Sequence, residues 1–357
     1  MKLDIVKFQL NFGFHATTSR GSMTTRDTYF AIVRKDDSGV FGIGECGPLP
    51  GLSPDLDGNL DDVFAHCKTA LLGLDALEAD QIKNILPGNY PAVLFALETA
   101  VTDLLNGGVR NIYNNLFYNG KIAIPINGLV WMGNREEMIK RLDEKVQEGY
   151  GCIKIKIGGI NFDDEIAILK HLRKKYSAKE IAIRLDANGA FAPRGALRKL
   201  EKLAKFDIHS IEQPLAPGQL EEMGDLCKNT PIPIALDEEL IGLHSTDDKR
   251  KLLDEIDPHF LVLKPTLIGG LHEAEEWIQI AAQREIDWWV TSALESNVGL
   301  NAIAQFVANH QLQLPQGLGT GQLFTNNIAS PLQVKNTKLV YSPEKPWDFQ
   351  GIVPTIN

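Results

Sequence analysis

The chain has 357 residues, 44% of them hydrophobic, with a formal net charge of −10 at pH 7. Such a composition can bury a large core and excludes disordered and fibrous classes, while the acidic balance argues against nucleic acid and anionic membrane as partners. The four cysteines, Cys46, Cys67, Cys152 and Cys227, stand far apart with no C-x-x-C pair, which points away from a disulfide framework or zinc knuckle and toward reduced thiols in a cytoplasm.

The N-terminal stretch Met1 to Phe8 lacks an unbroken apolar segment, and no window approaches the roughly eighteen apolar residues of a membrane span, so a soluble, unexported protein is expected. Residues 1 to about 45 alternate polar and apolar positions, as in Tyr29-Phe30-Ala31-Ile32-Val33-Arg34, and predict a small antiparallel sheet. A polar stretch from His15 to Asp27 reads as a loop between its first two strands. The segment Gly47 to Pro54 reads as a second loop. From Leu60 to about Gly107 the periodicity turns helical. After Gly107-Gly108, strands are predicted near 122–128, 152–157, 181–186, 209–212, 233–237, 260–264, 288–292 and 315–318, with amphipathic helices such as Glu136 to Gln147, Asp163 to Tyr176 and Leu271 to Arg284 between them. The interval Asn297 to Gln311 is more apolar and reads as a buried helix. Eight βα periods predict an α/β fold with a (β/α) barrel of the TIM type over residues 121–322. An α+β capping domain is expected from residues 1–120, with 323–357 returning to it and Leu339-Val340-Tyr341 joining the N-terminal sheet.

Five of these strands end in charge, and strand ends are where a parallel barrel gathers its functional groups. Lys154 and Lys156 share one face of their strand, while Ile153, Ile155 and Ile157 take the other. Buried inside a barrel, two lysines avoid an uncompensated desolvation cost only near the mouth and beside acids. Asp186, Glu212 and Asp237 close the next three strands at intervals of 26 and 25 residues. Taken singly, each would be a helix N-cap or a surface acid. Together, three carboxylates on one rim repel unless a cation sits among them, and an all-oxygen set favours a hard ion such as Mg2+. Lys264 ends the sixth strand, opposite the second in an eight-strand ring. Lysines on both sides of a metal-held carboxylate suit removal of the proton beside that carboxylate, because the enediolate formed needs positive charge placed on its oxygens in advance.

These residues resemble the enolase superfamily and, within it, the branch related to muconate-lactonising enzymes; a lysine base with Mg2+ at an enediolate is the pattern of that superfamily. The resemblance covers essentially the whole length. It implies that Lys154-Ile155-Lys156 is a K-x-K motif with Lys156 as the base, that Asp186, Glu212 and Asp237 bind Mg2+, and that Lys264 is the lysine across the site. It also implies supporting or substrate-binding roles for Asn188, Glu238, Ser296, Gly319 and Gly321, with closing loops around Arg20 and Gly51. The stretches Thr291 to Leu300 and Gln316 to Phe324 are most similar to the o-succinylbenzoate synthases, the dehydratases of menaquinone synthesis. Gly317, Gly319 and Gly321 would let backbone amides approach an anionic succinyl tail, or form a flexible turn. The Asp-x-Asp that dipeptide epimerases carry after strand eight is absent.

The expected partner is therefore a small-molecule carboxylate, with self-association into a homo-oligomer left open. Competing expectations are an N-succinylamino acid racemase using both lysines, a muconate-type cycloisomerase, and a non-catalytic barrel that binds a metal or a partner.

Overall fold

A computed structural model describes residues 1–18, 21–35, 39–74, 77 and 79–353. Strands β1 (Lys2–Thr18) and β2 (Gly21–Arg34) form one long antiparallel hairpin, in register from Lys2↔Arg34 to Thr18↔Gly21 with an irregularity between Asn11 and Ala16. The stretch His15 to Asp27, expected as a loop, is thus largely strand. Its threonines suit extended backbone, and its few buried residues left no alternation to read. β3 (Gly42–Cys46) pairs with β2.

Helices α1 (Leu60–Leu71) and α3 (Pro91–Leu105) cover this sheet, and the short α2 (Ala79–Ile82) packs against α3. α3 starts on a proline, and Asp55 accepts from the free amides of Ala92 and Val93 at 3.0 and 3.1 Å, satisfying helix-end donors that would otherwise be buried unpaired. Val63, Phe64, Leu71, Val93 and Leu97 fill the space between helices and sheet. β3 runs so close to α3 that a Cβ at Gly44 would strike the carbonyl of Ala96. Gly44→Ala is accordingly expected to destabilise the fold by about 1–3 kcal/mol, read as a lower denaturant midpoint at unchanged slope.

The barrel follows. β4 (Ile124–Pro125), β5 (Gly128–Val130), α4 (Arg135–Gln147), β6 (Cys152–Lys156), α5 (Phe162–Arg173), β7 (Ala182–Asp186), α6 (Pro193–Leu203), β8 (Ser210–Glu212), α7 (Leu220–Asn229), β9 (Ile234–Leu236), α8 (Thr246–Ile256), β10 (Phe260–Leu263), α9 (Pro265–Ile268), α10 (Leu271–Ala282), β11 (Asp287–Val290) and α11 (Asn297–Val307) run in order. Strands β5 to β11 form one parallel sheet of seven in sequential order. The ring closes through residues 316–317, where Gln316 bridges Ile126 and Gly317 bridges Thr291, both parallel. The eighth stave is therefore a pair of bridges where a regular strand was expected. Outward-facing Ile153, Ile155, Ile183, Leu185 and Ile211 pack against Met138, Leu142, Leu172, Leu200, Leu253 and Trp277 of the helices. Local signals start these helices: Asn134 and Glu137 form a capping box on α4, and Asn161 and Ser245 cap α5 and α8. α11 is buried along nearly its whole length, as its apolar sequence predicted.

Two further expectations are corrected. The sequence predicts a single barrel strand over 122–128, but Ile124–Pro125 pairs away from the barrel and only Gly128–Val130 lies beside β6. The C-terminal strand does not return to the N-terminal sheet. β12 (Leu332–Lys335) and β13 (Lys338–Tyr341) form a hairpin that pairs with β4, forming a separate sheet of three.

Candidate active site

Parallel register brings the charged strand ends to one level. Lys156 lies opposite Asp186, and Asp186 opposite Glu212, while Asp237 and Lys264 immediately follow β9 and β10. All six charged side chains are buried, with residue exposures of 9% or less. Lys154 Nζ lies 2.9 Å from Asp186 Oδ2 and 2.6 Å from Glu212 Oε2. Lys264 pairs with Asp237 and stands 3.7 Å from Glu212 Oε1. Lys156 donates to Asp186 Oδ2 at 2.9 Å and to Asn188 Oδ1 at 2.8 Å. Asn188, held at a left-handed φ of 45°, donates in turn to Glu238 at 3.1 Å, so a polar relay fixes the ammonium of Lys156 from behind.

The lysines are not equivalent. Burial pushes the Lys156 ammonium below its ordinary 10.5; Asp186 opposes this, and the like charges of Lys154 and Lys264 add to it. Burial acts on Lys154 too, but Asp186 and Glu212 outweigh it and raise that group. Lys264 is likewise raised against burial by Asp237, Glu212 and Asp186. Lys156, with one carboxylate in contact against two for Lys154, gives up its proton most readily. Burial alone would raise Asp186, yet Lys154, Lys156 and Lys264 hold it well below the usual carboxylate range. The two ends of the Lys154–Glu212 pair pull differently, since burial and the charge of Asp186 push Glu212 up to about 7. Contacts of 2.7 and 2.6 Å from Lys154 to both oxygens of Glu212 favour the charged pair.

Above these groups opens a cavity of about 580 Å³, lined by Lys154, Lys156, Asp186, Asn188 and Lys264 at its floor and by Phe14, Met23, Leu49, Leu52, Trp131, Leu294 and Leu323 along its walls. Gly317, Gly319, Ser292 and Thr320 also face it. Of the other expected contacts, Ser296 is fully buried outside the lining, where it donates to Glu45 and caps α11. Gly321 packs against Asn297 and Leu300, and Glu238 lies behind Asn188. Gly51 sits between the lining residues Pro50 and Leu52 at a φ of 74°. Arg20 lies outside the described residues. Trp131, whose ring centroid is 5.8 Å from Lys156 Nζ, was passed over in the sequence. Its position just past β5 is the same strand-end signal that marked the lysines and acids.

Comparison with known proteins gives the chain a lineage. Residues 137–346 match the family described as enolase C-terminal domain-like. The chain is 43% identical to an o-succinylbenzoate synthase of Desulfotalea psychrophila, over 94% of this chain and 97% of that one. The chain belongs to the enolase superfamily. The crystal structure of MenC from Desulfotalea psychrophila superposes with a TM-score of 0.85 at 40% identity, covering 95% of this chain and 99% of that one. A muconate lactonizing enzyme from Pseudomonas fluorescens shares the fold at a TM-score of 0.80 and 20% identity, covering 98% and 96%.

Enolase superfamily enzymes in general depend on Mg2+. Among the described residues no group of three acidic, His or Cys side chains converges as a ready metal site; Asp186, Glu212 and Asp237 are instead strung along two ammonium ions, with Lys154 bridging the first pair and Lys264 the second. The donor chemistry fits a hard cation, since three buried carboxylates on neighbouring strands already gather positive charge between them. All four cysteines are free and buried, and no helix among the described residues is long and apolar enough to cross a membrane.

Proposed function

We propose that this enolase superfamily member is an o-succinylbenzoate synthase, removing water from 2-succinyl-6-hydroxy-2,4-cyclohexadiene-1-carboxylate to give 2-succinylbenzoate in menaquinone biosynthesis. The observation that carries the reading is the likeness, over nearly the full length of both chains, to the synthase of Desulfotalea psychrophila. We assign Asp186, Glu212 and Asp237 as the residues that hold Mg2+ and Lys154, Lys156 and Lys264 as the lysines that act around the substrate. Bound there, Mg2+ supplies Lewis-acid charge for the substrate carboxylate. Lys156 takes the proton from the carbon that bears this carboxylate. The electron pair released moves into the ring as the bond to the hydroxyl breaks, and Lys156 returns the proton to the departing oxygen from the same face, so that water leaves and the ring becomes aromatic. Lys154 stays protonated between Asp186 and Glu212 and contributes fixed charge. The apolar walls suit the ring, and glycines 317 and 319 at the cavity suit the close approach of a succinyl carboxylate to backbone amides. The buried free thiols agree with a reducing cytoplasm.

Aromatisation drives the elimination, so Lys264 need only be a cation facing the negative charge that develops on the substrate carboxylate as the proton leaves. Lys264→Ala should lower kcat by about a hundred- to a thousand-fold, the scale of losing one fixed electrostatic partner. An unchanged kcat would remove Lys264 from the mechanism. The same two-lysine geometry could serve a racemase, and incubation with N-succinylamino acids in deuterium oxide separates the two. Under the synthase reading, dehydration outruns entry of deuterium at the α-carbon; faster exchange into both enantiomers, without dehydration of the cyclohexadiene, would assign a racemase instead.

A further inference from the structure

Arg26 lies on β2 in the cap and is only 4% exposed. It donates to the carbonyl of Ala293 at 2.8 Å, to that of Leu294, and to that of Gly47. These carbonyls belong to two loops that line the cavity from opposite sides of the cap–barrel seam, one contributing Leu49 and Leu52 and the other Ala293 and Leu294. Beneath the guanidinium, Leu49 packs with Ala293 and Leu267 in a small apolar cluster to which Leu52 and Leu294 add. Leu294 is held at a φ of 67°, a conformation that costs a non-glycine residue energy and persists only under restraint. At Gly47 a Cβ would run into the guanidinium, so a larger residue there would push the end of the Arg26 side chain off its carbonyls. Opposing charge comes from Glu45 and Glu295. Glu45 reaches across the same seam, accepting from the amides of Ser296 at 2.8 Å and Gly299 at 2.9 Å.

We propose that Arg26 is a positioning residue, a latch that ties the cap loop 47–53 to the barrel loop 291–296 and thereby sets the apolar wall against which the substrate ring rests. Arginine is suited to this, because its planar fork can serve several carbonyls at once while lysine can satisfy fewer from one point. The kinetic consequence rests on the synthase reading; the structural one does not.

The test compares the wild type with Arg26→Lys, Arg26→Ala and Gly47→Ala, by steady-state kinetics on the cyclohexadiene carboxylate with Mg2+ and by hydrogen–deuterium exchange of the free enzyme. Arg26→Ala is expected to raise KM about tenfold with kcat held within about threefold, the pattern of lost uniform binding. Arg26→Lys should fall between, Gly47→Ala should shift KM in the same direction, and guanidinium chloride below denaturing concentrations should restore part of the Arg26→Ala loss. Exchange should quicken in segments 47–53 and 291–296 while β6 and β7 stay protected. Unchanged KM with unchanged exchange in both loops would overturn the latch, as would exchange that quickens throughout the barrel. If the wild type forms no succinylbenzoate, the synthase reading fails on that result, and the exchange pattern alone decides for or against the latch.

Discussion

Replacing Lys156 with alanine is expected to lower kcat by roughly a hundred- to ten-thousand-fold in a protein that still folds, the range over which a positioned proton-transfer group acts. Lys156 is the lysine whose ammonium burial and its neighbours Lys154 and Lys264 depress, and whose single carboxylate contact leaves it readiest to act as a base. Its partner Asp186 keeps Lys154 at 2.9 Å after the substitution, so no buried carboxylate is stranded and the fold is retained. The same depression fixes the direction of the pH profile. A base works unprotonated, so the rate should fall as pH falls through the Lys156 pKa, and that limb should lie below 10.5. Stopped-flow or steady-state turnover across pH measures it. An alanine variant with wild-type turnover, or a profile with no acid-side loss, would remove Lys156 from the proton transfer.

Glu212→Gln should act on two quantities together. Glu212 is the middle carboxylate of the row, in contact with Lys154 through both oxygens and 3.7 Å from Lys264. Losing its charge leaves Lys154 with Asp186 alone, and a stability loss approaching about 3 kcal/mol is expected, the lower end of the cost of breaking a buried pair. Mg2+ affinity should fall more than tenfold, since altering even an outer partner of a metal ligand costs tenfold or more. Titration calorimetry reads the metal and denaturant unfolding reads the stability. Wild-type Mg2+ affinity in this variant would contradict the assignment of the carboxylate row, whatever happened to stability.

The gathering of these side chains at the floor was legible because lysines and acids are rarely found at the ends of otherwise apolar strands, and a parallel barrel delivers strand ends to one place. Lys156, Asp186, Glu212 and Lys264 could be aligned by spacing alone. The walls could not. Residues such as Phe14, Met23 and Leu294 look like any other apolar or loop position until the hairpin of β1 and β2 folds over the mouth. That hairpin was itself read partly as loop, because from His15 to Asp27 its strands bury too few residues to alternate. Ser296 looked like a ligand contact because it follows the seventh strand, yet its hydroxyl is committed to Glu45, 251 residues earlier in the chain. The pairing of β13 with β4 was hidden for the same reason: register between segments distant in sequence is set by tertiary packing. Arg26 carries no local signal at all, since its partners are backbone carbonyls of two distant loops.

The most direct test of the central claim is the appearance of 2-succinylbenzoate from the hydroxycyclohexadiene carboxylate, followed by absorbance with Mg2+ present and again after EDTA. Rapid aromatisation that EDTA abolishes and restored Mg2+ recovers is the predicted result. A folded, Mg2+-saturated protein that yields no succinylbenzoate would contradict it.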